Sequence, residues 1–174
     1  NTVDTPTLIF SGLDIGIHLF EGSRITWRNK SRKVQARPIQ ELRILHSHQT
    51  IASWNGDISG EKWVPYQEAD FVTPPFADFP SGHSHFSQGL ANTMTAWFGQ
   101  TIPTKSITKS DLTLLSPIFN GTGSQSNSLN TITVSTGKSQ IQPNIVPAAP
   151  TSLTWTTWQD MANSAGMSRL YGGI

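Results

Sequence analysis

The chain contains no cysteine, which excludes disulfides, thiolate zinc sites and cysteine nucleophiles. Charged residues are also scarce: they make up 13% of the chain, and the formal net charge is +1. The sequence therefore lacks the basic excess typical of proteins that bind nucleic acid or anionic membranes, and we expect neither partner. No apolar run reaches the length of a membrane span. We expect a soluble protein and leave its compartment open, with secretion among the options.

The 174 residues suffice for one domain or part of one, and they begin at Asn1 rather than Met, so we expect a processed or excised piece. Apolar spacing predicts a mainly α-helical bundle with long loops and little β structure. The first helix is predicted over residues 7–33, with an apolar pattern typical of burial inside a bundle. Its two apolar faces are formed by Phe10, Leu13, Ile17 and Phe20 and by Ile15 and Leu19.

Three further helices are predicted downstream. A short one follows the break at Arg37-Pro38 and runs over 38–46, and a longer one carries the apolar stripe from Phe86 to Phe98. The last begins near residue 152 and ends at Gly166. Residues 47–82 are interpreted as a long ordered loop, and the polar stretch at about 100–150 as an insertion with weak strand signals at 111–119 and 130–134.

Three polar clusters, far apart in the sequence, share one chemistry. They are Lys30 with Arg37-Pro38, then Pro80-Ser81-Gly82-His83, and then Ser168-Arg169. An oxyanion needs fixed positive charge and dense donors, which lysine and arginine supply. A glycine before a helix lets backbone N–H groups approach the oxygens, and a histidine there can act as acid or base. The clusters together predict a pocket for a tetrahedral oxyanion.

The order and spacing of these clusters resemble the signature of vanadium-dependent haloperoxidases and of the type 2 phosphatidic-acid phosphatase superfamily. That signature reads Lys-x6-Arg-Pro, Pro-Ser-Gly-His and Ser-Arg-x5-His, and the first two parts match in full. The third part matches through Ile174, so the resemblance implies a histidine directly after that residue. It also implies a four-helix-bundle architecture of which residues 1–174 form a partial domain. Missing segments or another protomer would then cover the apolar helix faces.

The resemblance implies a role for each matching residue. The oxygens of the vanadate cofactor would be bound by Lys30, Arg37, Ser81, Gly82 and Arg169. His83 would be the acid–base residue, Lys30 would also polarise bound peroxide, and the expected histidine after Ile174 would hold the metal. Within the chain itself we expect no metal ligand, and phosphate can occupy the same site. The implied reaction oxidises halide with hydrogen peroxide to hypohalous acid, and vanadium keeps its oxidation state.

Two aromatic neighbours favour the chloroperoxidase-like branch. Trp27 stands three residues before Lys30, and Phe76 stands seven before His83. The resemblance implies that both line a halide pocket, and the alternative that they are core aromatics stays open. The polar stretch at 100–150 matches no feature of the family.

Other functions remain open on the sequence. The same pocket fits an acid phosphatase that acts through a phosphohistidine, and it also fits a non-catalytic fragment of such a domain. A zinc site built from His46, His48, His83 and His85 is disfavoured, because His83 and His85 lie about 200° apart around a helix of 3.6 residues per turn. His18 lies in an apolar helix and is predicted to be a hydrogen-bonded core histidine.

Overall fold

The computed structural model describes residues 4–53, 56–103, 124–139, 141 and 145–174, and these are mainly α-helical. The helices are α1 (Thr5–Lys33), α2 (Pro38–Leu45), α3 (Gly82–Phe98) and α4 (Trp158–Gly172), with a 3-10 turn at Gly60–Lys62. The strands are β1 (Thr50–Ser53), β2 (Gly56–Ser59), β3 (Ser124–Ser128), β4 (Thr131–Val134), β5 (Gly137–Lys138), β6 (Ile145–Val146) and β7 (Thr151–Thr154). They form the antiparallel pairs β1–β2 and β5–β6 and the antiparallel sheet β3–β4–β7. The prediction of a mainly α fold with little β structure is confirmed.

Local side-chain chemistry sets where these helices begin. The carboxylate of Asp4 accepts the Thr7 N–H at 2.7 Å and so caps the start of α1. The hydroxyl of Ser81 accepts the Ser84 N–H at 3.2 Å in the same way at α3. Proline in the first turn of α1 and α2 is compatible with a helix start, since the missing N–H has no helical partner there. The predicted helices at 7–33 and 38–46 are confirmed within the usual uncertainty of helix ends.

Helix α3 is the central element, because it packs against both α1 and α4. Its contact with α1 is reciprocal: the His18 imidazole of α1 fills the space over Gly89, and the His85 imidazole of α3 lies over Gly22. The two imidazoles stack with ring centroids 6.0 Å apart. The His18 Nε2 atom is buried and has no hydrogen-bond partner in the described part of the chain, so the prediction of a hydrogen-bonded core histidine is wrong for this nitrogen.

A small apolar core lies between α3 and α4. It consists of Ala91, Ile102, Trp158 and Ala162, with Met94, Trp155 and Met161 packed around it. The segment that follows α3 is tied to the start of α4 by two backbone bonds, from Ile102 N–H to Thr156 O at 2.9 Å and from Trp158 N–H to Gln100 O at 3.4 Å. This core therefore fixes α4, which carries Arg169, against α3, which carries His83.

The predicted start and end of the last helix are wrong. Residues 151–154 form β7, which pairs with β4, and the helix begins only at Trp158, where the Thr157 hydroxyl accepts the Asp160 N–H at 3.1 Å. The helix also continues past Gly166, because that glycine serves close packing rather than a cap: a β-carbon there would lie 3.0 Å from the Ser84 Oγ.

Strands occur both in the predicted loop and in the predicted polar insertion. The stretch 47–82 includes the β1–β2 hairpin, which the sequence analysis missed. Of the two weak strand signals, the one at 130–134 is confirmed as β4, and the one at 111–119 falls outside the described residues.

The side of α1 that packs inside this chain is the small and polar one. Its buried residues are Ser11, Gly22, Thr26 and Lys30. The apolar faces predicted to be buried are instead open in this chain: the large exposed side chains of α1 include Leu8, Ile9, Phe10, Leu13, Ile17, Leu19 and Phe20. Among the described helices, none combines the length and hydropathy that a membrane crossing requires.

Candidate functional site

The separated motif residues meet at one cleft of about 840 Å³ between the ends of α1, α3 and α4. The cleft is lined, among others, by Trp27, Lys30, Arg37, Phe76, Ser81, Gly82, His83 and Arg169, together with Ile174. The fold thus brings together every residue that the sequence analysis assigned to the oxyanion and halide sites.

Lys30 and Arg37 are held by the same short segment, residues 76–78. Lys30 is only 4% exposed, and its Nζ donates to Ala77 O at 2.7 Å and to Asp78 O at 2.8 Å. Arg37 donates from Nε to Phe76 O at 3.0 Å and from Nη2 to Ala77 O at 3.4 Å, and its Nη1 pairs with the Asp78 Oδ1 at 3.2 Å. Because an ammonium has three donors and a guanidinium five, both groups keep N–H donors for a ligand.

Trp27 and Phe76 lie beside these cations. The Lys30 Nζ is 5.2 Å from the Phe76 ring centroid and 6.0 Å from that of Trp27, and the Arg37 guanidinium carbon is 5.0 Å from the Phe76 centroid. The two rings are 5.3 Å apart. Both side chains are more than 40% exposed in this chain. They therefore form an aromatic wall of the cleft and are not part of the apolar core of the chain.

The N-terminus of α3 forms the donor side of the cleft. The Ser81 hydroxyl oxygen is occupied as an acceptor by its cap bond, which leaves its proton free to be donated. Within the described chain, the N–H groups of Gly82 and His83 make no hydrogen bond, as expected for the first turn of a helix. Such free N–H groups at the positive end of the helix dipole favour an anion.

His83 and Arg169 connect α3 to α4 across the cleft. The Arg169 Nη1 lies 3.2 Å from the His83 Nε2, and since a guanidinium only donates, Nε2 is the acceptor. Partial desolvation at the cleft wall and the positive charge of Arg169 both lower the pKa of His83 below its usual value. The lowered pKa favours the neutral imidazole, and with Nε2 as the acceptor its proton lies on Nδ1.

The cations of the cleft repel one another. Desolvation, followed by the charge of Arg37, lowers the pKa of Lys30, and the Asp78 carboxylate offsets this only in part. Desolvation and the charge of Arg37 lower the pKa of Arg169 as well. A bound oxyanion would relieve this repulsion, so the donor set fits a tetrahedral anion with more than one negative charge.

A glycine pair holds the end of α4 in place. Gly173 has φ 67°, and the N–H groups of Gly173 and Ile174 bond to Leu170 O and Arg169 O at 3.2 and 3.1 Å. This Schellman pattern ends the helix directly beside Arg169. The Tyr66 N–H bonds to Gly172 O at 2.9 Å, so the loop after the 3-10 turn packs directly on the glycines.

Neither Asp78 nor this supporting loop was predicted from the sequence. The consecutive Gly172 and Gly173 after Arg169 were a usable signal for close packing. Asp78 carried no such signal, because its contact with Arg37 spans 41 positions of sequence.

The other histidines do not join the cleft. His85 packs against His18, and the His46 Nδ1 lies 2.8 Å from the Gln49 side-chain oxygen. Among the described residues, no three histidine, aspartate or glutamate side chains group as metal ligands, which gives the zinc interpretation no support.

Comparison with known proteins places this geometry in a family context. A family model described as the VCPO second helical-bundle domain matches residues 14–174. Among solved structures, an apo-type bacterial vanadium-dependent chloroperoxidase matches with a TM-score of 0.60 and 20% identity, over 89% of this chain and 29% of that chain. The holo-type structure matches with a TM-score of 0.62 and 21% identity, over 93% of this chain and 30% of that chain.

At such identity the two structures are evidence of a common fold, and this chain spans less than a third of their length. No curated protein matches the sequence.

Proposed function

This chain belongs to the family of the VCPO second helical-bundle domain, and from that premise we propose that its cleft is the vanadate site of a haloperoxidase. The proposed reaction, for the protein that carries this chain, is the oxidation of halide by hydrogen peroxide to hypohalous acid. The observation that supports it most strongly is the meeting of Lys30, Arg37 and Arg169 around the N-terminus of α3.

The cleft fits vanadate through its donor set. Lys30, Arg37 and Arg169 would neutralise the oxygens, and the Ser81 hydroxyl and the Gly82 N–H would add neutral hydrogen bonds. The chemistry that bound vanadate supplies is Lewis-acid activation of peroxide toward halide, without a change of oxidation state. Phosphate has the same shape and charge, so we propose that it competes for the site.

His83 is proposed as the acid–base residue. His83 lines the cleft, its Nε2 accepts a hydrogen bond from Arg169, and its lowered pKa favours the neutral imidazole. An anion that drew the Arg169 donor to itself would free the Nε2 lone pair for a proton. A neutral imidazole can take a proton from a peroxide O–H and return it to a leaving oxygen. Lys30 adds a fixed positive charge beside the same oxygens, which would polarise peroxide, and Trp27 and Phe76 are proposed to shape the place of the halide.

The direct metal ligand is proposed to be a histidine immediately after Ile174. Ile174 is 7% exposed, lines the cleft and is bonded through its N–H to Arg169 O. We also propose that residues 100–150 are an insertion into the helical domain, and that further chain segments or another protomer cover the open apolar faces of α1.

Halogenation of monochlorodimedone tests the function. We expect bromination that requires vanadate, peroxide and bromide together. Arg169→Gln should lower the turnover at least about a hundredfold, as the loss of one oxyanion donor does. Arg28→Gln is the matched control, because it removes the same charge from an exposed position of α1 and should change little.

Two other results would contradict the proposal. Release of p-nitrophenol from p-nitrophenyl phosphate, inhibited by vanadate and without bromination, would indicate the phosphatase. The absence of both activities, together with no oxyanion binding, would indicate a non-catalytic domain.

A further inference from the structure

Asp78 is the one acidic side chain that lines the cleft within the described residues. Its carboxylate pairs with Arg37 at 3.2 Å, and the side chain is one-third exposed, so it is not buried in the interior. The backbone of the same residue is fixed separately: its carbonyl accepts from the Lys30 Nζ at 2.8 Å, and its N–H donates to Gln35 O at 3.1 Å. The position of residue 78 therefore does not depend on its carboxylate.

The carboxylate competes with any bound anion. Lys30, Arg37 and Arg169 bring three positive charges to the cleft and Asp78 brings one negative charge, so the net formal charge of these four side chains is +2. Asp78 and an oxyanion would both use the Nη1 edge of Arg37. The repulsion between them grows in proportion to the charge of the anion.

We propose that Asp78 is a specificity-determining residue that restrains the binding of multiply charged oxyanions by occupying Arg37 and repelling the ligand. This rests on the proposed function, since it assumes that the cleft binds a tetrahedral oxyanion. The restraint keeps a dianion exchangeable in a site whose three cations would otherwise hold it tightly. The ratio of the affinities for dianions and for monoanions would then be set by the Asp78 side chain.

A purely structural role of Asp78 gives the opposite expectation. If the carboxylate mainly positioned Arg37, its loss would weaken the binding of every anion to the same degree. The structure argues against this, because Arg37 also donates from Nε to Phe76 O and from Nη2 to Ala77 O, and neither of these bonds involves the carboxylate. Asparagine at position 78 also retains an acceptor oxygen for Nη1.

The test uses two tetrahedral anions that do not titrate near pH 7, sulfate and perchlorate. Their dissociation constants are measured calorimetrically on the full chain at constant ionic strength, for the parent protein, Asp78→Asn and Asp70→Asn. Asp70 is the matched control, because it lies in the same connecting segment, is exposed and does not line the cleft.

For Asp78→Asn we expect sulfate to bind about tenfold tighter and perchlorate about threefold tighter, since the repulsive energy doubles with the ligand charge. Asp70→Asn should leave both constants within about twofold of the parent.

Equal tightening of both anions, no change, or weaker binding in Asp78→Asn would overturn the inference while leaving the oxyanion site intact. Failure of the parent and the variant to bind either anion would overturn the proposed function and the inference together.

Discussion

Replacing Gly89 by alanine tests the packing that places α3 against α1. Gly89 lies in the middle of α3, and a β-carbon built there would overlap the imidazole of His18 from α1. In an isolated helix the same change would stabilise by roughly 0.5–1 kcal/mol, because alanine has less backbone freedom to lose. In this fold, His18 must leave its position or the helices must separate.

Two opposing terms give the expected magnitude. Overpacking of a well-filled interface typically costs about 1–3 kcal/mol, and here the overlap involves a whole ring with its Nε2 atom buried. After the helix-propensity gain is subtracted, Gly89→Ala should lower the free energy of unfolding by up to about 2.5 kcal/mol. Gly16→Ala is the matched control: Gly16 lies inside α1, and a β-carbon there meets nothing within 4 Å, so we expect a small stabilisation.

Urea unfolding followed by circular dichroism measures both variants. The double variant Gly89→Ala with His18→Ala should recover most of the loss, because the overlapping ring is gone. If Gly89→Ala stabilised the chain as much as Gly16→Ala does, the reciprocal packing of α1 on α3 would be refuted.

Two further predictions concern the cleft. The pKa of His83 is lower in the fold than its usual value of about 6.5. As the pH falls below about 6.5, the unfolded chain binds a proton at His83 more readily than the folded chain does, so the free energy of unfolding should decrease. Bound sulfate should raise the pKa of His83 by offsetting the positive charge of Arg169. NMR titration of the imidazole with and without sulfate measures this shift. An unchanged pKa would count against an anion beside His83. Gly173→Ala should destabilise by more than the roughly 1–2 kcal/mol that a left-handed backbone (φ 67°, ψ 35°) costs alanine, because a β-carbon there would also meet the Trp63 ring at 2.9 Å. A loss in thermal unfolding no larger than that backbone cost would contradict the docking of the α4 end.

The sequence predicted the helices and the composition of the site because those signals are local. Helix α1 shows periodic apolar residues and a capping aspartate at Asp4, and each oxyanion motif is a run of a few residues. The prediction that the three motifs meet in one pocket came from the family resemblance and not from a local physical signal. No local pattern states that Arg169 will lie beside His83, 86 positions away in the sequence.

The misses have physical causes. The β1–β2 hairpin gave little signal, because its strands are only four residues long and lie in a stretch without clear alternation of apolar and polar residues. Strand β7 had none, because it is stabilised by pairing with β4, about 20 residues earlier in the chain. The periodicity of α1 showed its apolar faces but not which face packs against α3. The contact between α1 and α3 lies at Gly22 and not on an apolar face, because a residue without a side chain lets the His85 ring of α3 approach.

Anomalous diffraction from a crystal soaked in tungstate shows directly whether the cleft binds a tetrahedral oxyanion, because tungstate is a tetrahedral dianion whose tungsten atom gives a strong anomalous signal. The account predicts a strong peak in the cleft, with its oxygens within hydrogen-bond distance of Lys30, Arg37, Ser81 and Arg169, and loss of that peak in Arg169→Gln. A peak elsewhere on the chain with none in the cleft would contradict it.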